Sequence, residues 1–452
     1  MNAERDIEPL SVRSWLAAPI EARTATLVDA YHQAAATSTT HGTYIAVGQP
    51  PATPLTGELG GMPFAVKDNI DVAGMPTTAG SPLLQGRVPS VDAGVVSVLR
   101  EAGGVVIGKT NMHELAFGVT SNNAAFGPVR NPYDAERVAG GSSGGSAATV
   151  ALGTVPVSLG TDTGGSITIP ASFCGVVGFR PTTGRYPGDG LVNLSWTRDT
   201  VGPHGRSVDD VRRIDEVITR TEAQSARPLR ERVIGVPRSR YVDLAPEVAA
   251  VANHMLEKLG RAAVRLVDVE VEDDYTIGSG PGLELVLFEA ARLLTARAAA
   301  VSGRGDSLTF ADLVPFIASP DVRGLAEAMA AHPMDSAAYA VARQARWRLR
   351  RSYADMFHRT GVDAIIAPTC PVLPPHVGTD DTLGLNGRAV PLFATMTRNT
   401  APGTVAGTPL LALPAGRTDT GLCVGMCLEA RFGEDDGLLA LGEQIESSLV
   451  GG

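Results

Sequence analysis

Apolar residues recur at helical spacing through EARTATLVDAYHQAAAT, so the first 45 residues predict an opening pair of helices. From about Thr56 to Pro203 short Val/Ile runs (PFAVKDNIDV, GGVVIGKT, VPVSLGT, CGVVGFRP) alternate with Ala-rich helical pieces such as DAGVVSVLREAG. Strands alternating with helices predict a sheet covered by helices. The sheet continues past Arg230, because ERVIGVPRSRYVDLAPEVAAVANHMLEKLGRAAVRLVDVEVED reads as strand, turn, amphipathic helix and strand. Residues 283–360 follow a helical pattern almost throughout, broken at Gly303, Pro315 and Pro333, and the last of these helices runs out at a glycine suited to C′. DAIIAPTCPV, TPLLALPAG and CVGMCLEAR return to strands before a closing helix, DGLLALGEQIESSL. No linker, internal repeat or low-complexity tract divides the 452 residues. The pattern therefore predicts one large α/β domain in which helices cover a sheet. Its parts are N-terminal helices (1–55), a glycine-rich core (56–282), a helical insertion shaping access to a site elsewhere (283–360), and strands and a helix completing the core (361–452).

Composition narrows the class of protein. A formal charge of −10 and a pI near 5.4 oppose attraction to a phosphate backbone, and no basic stripe stands out, so nucleic acid is not an expected partner. The N-terminal MNAERDIEPLSVRSWLAAP lacks an apolar signal core, and no apolar run reaches about 18 residues. A soluble, cytoplasmic protein with no membrane contact is expected. Cys174, Cys370, Cys423 and Cys427 are too few for a disulfide framework, and Cys423 and Cys427 have no clustered ligands to complete a zinc site. The basic residues are skewed: three lysines (Lys67, Lys109 and Lys258) stand against 35 arginines.

Two Ser/Gly clusters lie close together, AGGSSGGSAATVALG at 139–153 and GTDTGGSITIPAS at 160–172. Either one alone reads as a turn. In the second, however, a strand runs to a glycine pair before Ser166, so the N–H groups of Thr163, Gly164, Gly165 and Ser166 can curl around one point. Such a nest suits a developing oxyanion, with the nucleophile on its edge. A serine hydroxyl needs a base. None of the eight histidines sits in a motif resembling a triad, His113 being the least settled of them. Lys67, at the end of the apolar run GMPFAVK, would be buried and its pKa lowered. An arginine there could not deprotonate. A buried structural lysine paired with Asp68 gives the same sequence pattern, so the residues alone leave both readings open.

Together these stretches resemble the amidase signature family. The resemblance runs through GMPFAVKDNIDVAG, GKTNMHELAFG, FGPVRNPYD, GGSSGGSAATVA, GTDTGGSITIPASFCGVVGFRPT and TRDTVGP, and resumes in DAIIAPTCPVLP and AGTPLLALPAG. It implies a catalytic trio of Lys67 as base, Ser142 as proton shuttle and Ser166 as nucleophile, with a cis peptide bond from Gly141 to Ser142. It further implies the amidase signature fold, a large mixed central sheet covered by helices on both faces, with an oxyanion hole of Thr163, Gly164, Gly165 and Ser166, an acyl-enzyme, no metal or organic cofactor, and a possible homodimer. Within the family, SWTRDTVGPHGRSVDDV and RNTAPGTVAGTPLLALPAG are most similar to the indoleacetamide and mandelamide hydrolase branch, with urethanase-like members also similar. Thr168 replaces a frequent arginine and so disfavours an anionic acyl group. Trp196 stands where a smaller side chain is common, and Ala116 and Phe117 fall at acyl-pocket positions. The implied substrate is a small neutral aryl or alkyl amide. A carbamate, anilide or ester would use the same machinery.

Two rivals remain. Overlapping G-x-S-x-G motifs at Ser142 and Ser143 suggest an α/β-hydrolase, but NPYDAERVAGG before them is a loop and not the strand that a nucleophile elbow requires. An amidotransferase subunit is the other, and it needs partner subunits and RNA contacts that the acidic balance opposes.

Overall fold

The computed structural model describes residues 10–51, 56–221 and 227–450, so the first nine residues of the charged N-terminal stretch lie outside it. Eleven strands form one mixed sheet, in the spatial order Tyr44–Val47, Val105–Thr110, Pro63–Lys67, Val157–Asp162, Thr200–Gly205, Val177–Arg180, Leu410–Arg417, Cys423–Glu429, Ala364–Pro368, Val233–Pro237 and Arg265–Val269. Pro63–Lys67 runs parallel to both of its neighbours, whereas Val157–Asp162 is antiparallel to Thr200–Gly205. A strand flanked by parallel partners is covered on both faces and must be apolar throughout. Every residue of Pro63–Lys67 is accordingly buried, the lysine included.

The expected helices form where the pattern places them: Val12–Ala17 and Ile20–His41 open the chain, and Asp435–Val450 closes it. Apolar clusters lie along the sheet, one around Trp15, Phe64, Val66 and Leu159, another around Phe179, Ile234, Leu411 and Leu428. The helical insertion comprises Pro281–Ser302, Pro320–Ala331 and Ser336–Thr360, with Gly303 and Gly361 closing helices in the left-handed conformation. Glu114 fastens it to the core: its fully buried carboxylate accepts the N–H groups of Ala318 and Ser319 at 3.0 and 2.6 Å, and the hydroxyl of Ser81 at 2.6 Å.

Two features depart from expectation. Thr200–Gly205 is a central strand although TVGPHG holds one proline and two glycines. Proline usually stays at sheet edges because it donates nothing to the ladder, which hides this strand from pattern reading. The helix Ser336–Thr360 also exposes Arg343, Arg348 and Arg351 around an exposed Trp347, a basic stretch concealed by the negative total.

Candidate active site

Lys67 ends its strand inside the sheet, fully buried. Its Nζ lies 2.8 Å from Ser142 Oγ, 2.8 Å from Thr161 Oγ1 and 3.3 Å from Thr161 O. Among the described residues no carboxylate pairs with it. Asp68 instead faces Lys109, with Nζ to Oδ1 at 3.3 Å and both side chains fully buried. Burial lowers the pKa of Lys67 to about 7, against the raising pull of Asp162 and Asp199. A neutral amine has two N–H groups and one lone pair. Thr161 O can only accept, so it takes one N–H, and the two hydroxyls share what remains.

Ser142 follows a cis peptide bond from Gly141. Its carbonyl accepts the N–H of His113 at 3.1 Å. The structure separates the paired serines: the Ser143 hydroxyl donates to Thr161 O at 3.0 Å and accepts Thr161 N–H at 3.3 Å, so it belongs to the strand and not to the lysine. Both lead into the helix Gly144–Ala151, whose small residues let it pack closely.

Ser166 precedes the helix Thr168–Cys174 and lines a cavity of about 340 Å³. Its Oγ makes no hydrogen bond among the described residues, and its peptide oxygen accepts Ser143 N–H at 3.2 Å. Gly165 has φ +121, and a Cβ there would meet Thr400 Oγ1 at 2.4 Å, so this position accepts no side chain. The loop is braced from behind. Asp162 accepts the N–H groups of Gly165 at 3.0 Å and Ile167 at 2.7 Å and pairs with the buried Arg180 at 3.1 Å. Thr163 donates its hydroxyl to Asp199 at 2.6 Å. Gly165, named with the nest in the sequence, thus directs its N–H to Asp162. The N–H groups of Thr163, Gly164 and Ser166 donate to no acceptor among the described residues.

The cavity wall is largely apolar, with Phe117, Val119, Leu283, Val286, Leu325 and Leu392 on it, and Ala116 also contributes. Thr168 and Trp196 lie outside it. The Thr168 hydroxyl turns back to Gly165 O at 3.3 Å within its own helical turn. Trp196 is 49% exposed, donates Nε1–H to the Tyr339 hydroxyl at 3.0 Å and packs edge-on against Phe288 and Tyr339. Their placement removes the motive for reading either as a cavity wall.

Several residues at or beneath the cavity were given no role from the sequence. His113 Nδ1 lies 3.2 Å from Ser121 N–H and its Nε2 2.9 Å from Asp321, which ties the insertion to the loop around Ser142. Arg198 also lines the cavity. His204, below the nucleophile helix, hydrogen-bonds Ile167 O at 3.0 Å, and burial lowers its pKa to about 4. Among the described residues no group of three His, Cys, Asp or Glu side chains is placed to hold a metal ion, and no helix is long and apolar enough to cross a membrane. All four cysteines are free and buried.

Comparison with known proteins places these features in a family. The Amidase family profile matches residues 20–439. The indoleacetamide hydrolase of Agrobacterium vitis is 38% identical over 395 residues, covering 86% of this chain and 84% of that protein. The mandelamide hydrolase of Pseudomonas putida is 39% identical over 413 residues, covering 86% and 79%. Among solved structures, a peptide amidase bound to the competitive inhibitor chymostatin superposes with a TM-score of 0.81 at 29% identity, covering 98% of each chain.

Proposed function

This chain belongs to the amidase family, and we propose that it hydrolyses the carbon–nitrogen bond of a small neutral amide with an aryl or alkyl acyl group, through a Lys67–Ser142–Ser166 relay and an acyl-enzyme. The observation that carries the proposal is a fully buried lysine with no carboxylate partner among the described residues, 2.8 Å from Ser142 Oγ, together with Ser166 on the wall of a largely apolar cavity.

The steps follow from what each group can do. Neutral Lys67 removes the proton of Ser142 as Ser142 removes that of Ser166, and Ser166 Oγ adds to the amide carbon. The carbonyl oxygen gains the charge and is met by the N–H groups of Thr163, Gly164 and Ser166. The proton returns through Ser142 to the leaving nitrogen, the carbon–nitrogen bond breaks, and an ester on Ser166 remains. Water enters by the same relay and releases the acid. Thr161 holds Lys67 by its carbonyl and hydroxyl, which turns the remaining face of the amine toward Ser142.

The apolar wall supports a neutral aryl or alkyl acyl group, and the two hydrolases to which this chain is similar act on indoleacetamide and mandelamide by name. The test is a panel of arylamide, anilide, ester and carbamate given to the purified protein, with Ser166→Ala as blank. Ammonia release from the arylamide without ATP or a partner protein is the expected result. Turnover of the ester or carbamate alone would move the assignment to that bond, and equal rates in the blank would refute the relay.

A further inference from the structure

The substrate cavity contains one guanidinium with no carboxylate attached. Arg198, in the TRDTVGP stretch, is 3% exposed. Its Nη1 donates to Gly282 O at 2.6 Å, its Nη2 donates to Thr404 Oγ1 at 2.8 Å, and its Nε–H has no acceptor. It forms no ion pair with Asp or Glu among the described residues, whereas the neighbouring Arg180 is matched by Asp162 at 3.1 Å. Burial pushes its pKa down to about 10, which still leaves it charged at neutral pH.

A buried, unmatched cation is unfavourable unless something nearby makes use of it. Arg198 is the one Lys or Arg on the cavity wall among the described residues. Its Nη2 lies 3.6 Å from the point a Cβ on Gly164 would occupy, so it packs against the loop that carries the free amides. Two carboxylates brace that loop from behind, Asp162 on Gly165 and Ile167 and Asp199 on Thr163. Both oppose negative charge arriving on a carbonyl oxygen in the nest. Arg180 offsets Asp162, and Arg198, whose pKa Asp199 helps to raise, is the cation that offsets Asp199.

We infer that Arg198, bound directly to no carboxylate, keeps a positive charge beside the amide nest against the carboxylates behind it and so stabilises the tetrahedral oxyanion that forms when Ser166 adds to the amide carbon. It acts through its field and not through a bond to the substrate, as a positioning residue for that charge. The inference rests on the acyl-enzyme reading proposed above. The competing role is a clamp between the helices Pro281–Ser302 and Ala401–Ala406, and the two roles part at Arg198→Lys, which keeps the charge and loses the planar fork.

The test measures kcat and KM for a neutral arylamide, and inhibition by an arylboronic acid, in wild type, Arg198→Gln and Arg198→Lys. Boron adds the Ser166 oxygen and becomes a tetrahedral anion. In Arg198→Gln, kcat should fall about 10- to 100-fold, boronate affinity should fall by a similar factor and KM should change by less than about 3-fold, because the charge acts only on the tetrahedral species. Arg198→Lys should stay within about 5-fold of wild type. Equal losses in the two variants, an unchanged boronate affinity in Arg198→Gln, or failure of both variants to fold would overturn the inference and leave the clamp. If only Arg198→Gln fails to fold, Arg198→Lys decides, near-normal kcat supporting the inference and a large loss overturning it. Wild type that ignores the boronate, or binds it equally well as Ser166→Ala, would instead overturn the acyl-enzyme reading itself.

Discussion

Lys67 and Lys109 sit on adjacent parallel strands, both fully buried, yet they are chemically opposite. Lys109 pairs in register with Val66, one residue before Lys67, so strand alternation turns the two ammonium groups to opposite faces of the sheet. Asp68 follows Lys67 and therefore points to the Lys109 side. It holds Lys109 as half of an ion pair and leaves Lys67 with hydroxyls and a carbonyl. Burial lowers the pKa of both. What separates a base from a structural cation here is the face on which the nearest carboxylate lies, more than the depth of burial.

The largest effect should come from Lys67. Lys67→Met and Lys67→Arg should each lower kcat/KM by about 10³-fold or more, because neither side chain accepts a proton near neutral pH, and a normal circular dichroism spectrum should accompany the loss. In wild type, kcat/KM should fall about tenfold per pH unit below about 7 as Lys67 becomes protonated, and pH–rate profiles check this. The linkage sign agrees. The folded pKa lies below the unfolded one of about 10.4, so the unfolded chain binds more protons between these values, and stability gains from Lys67 as pH rises through that window. Lys67→Met should flatten the melting temperature over the same range.

The next contrast lies between the paired serines. Ser142→Ala should lower kcat about 10²- to 10³-fold with little change in melting temperature. Ser143→Ala should keep activity within about tenfold and lose roughly 1–2 kcal/mol of stability, because it strands the Thr161 backbone groups. Denaturant titration beside steady-state kinetics tells the two apart.

Breaking the other half of the lysine comparison should alter stability and spare chemistry. Asp68→Asn leaves Lys109 buried and unmatched, an expected loss of about 3–5 kcal/mol, and Lys109→Met with Asp68→Asn should recover much of it. The folded fraction should keep the acid limb of its pH–rate profile, because Asp68 and Lys67 occupy opposite faces. The smallest effect belongs to Trp196→Ala, which should change KM for an arylamide by less than about 2-fold, since the indole lies outside the cavity.

Much of this site was legible in the sequence because its parts are local. The run PFAVK marks a buried strand, the glycines before Ser166 mark a backbone turned on itself, and the two clusters fix the serines. Strand alternation in PFAVKDN already places Lys67 and Asp68 on opposite faces, which settles in favour of Lys109 a pairing that composition left open. The remainder depends on distance in the chain. His113 meets Asp321, and Arg198 meets Gly282 and Thr404, across separations that no local pattern carries. The strand Thr200–Gly205 was hidden by its proline, and Trp196 turns outward to a hydroxyl on an insertion helix that periodicity locates but does not orient.

With only three lysines in the chain, the protonation state of Lys67 can be read directly. Nuclear magnetic resonance of protein labelled at the lysine side chains, titrated from pH 5 to 10, should show one ammonium losing its proton near pH 7, and that signal should be missing in Lys67→Met. A Lys67 that remains protonated beyond about pH 9 would contradict the account.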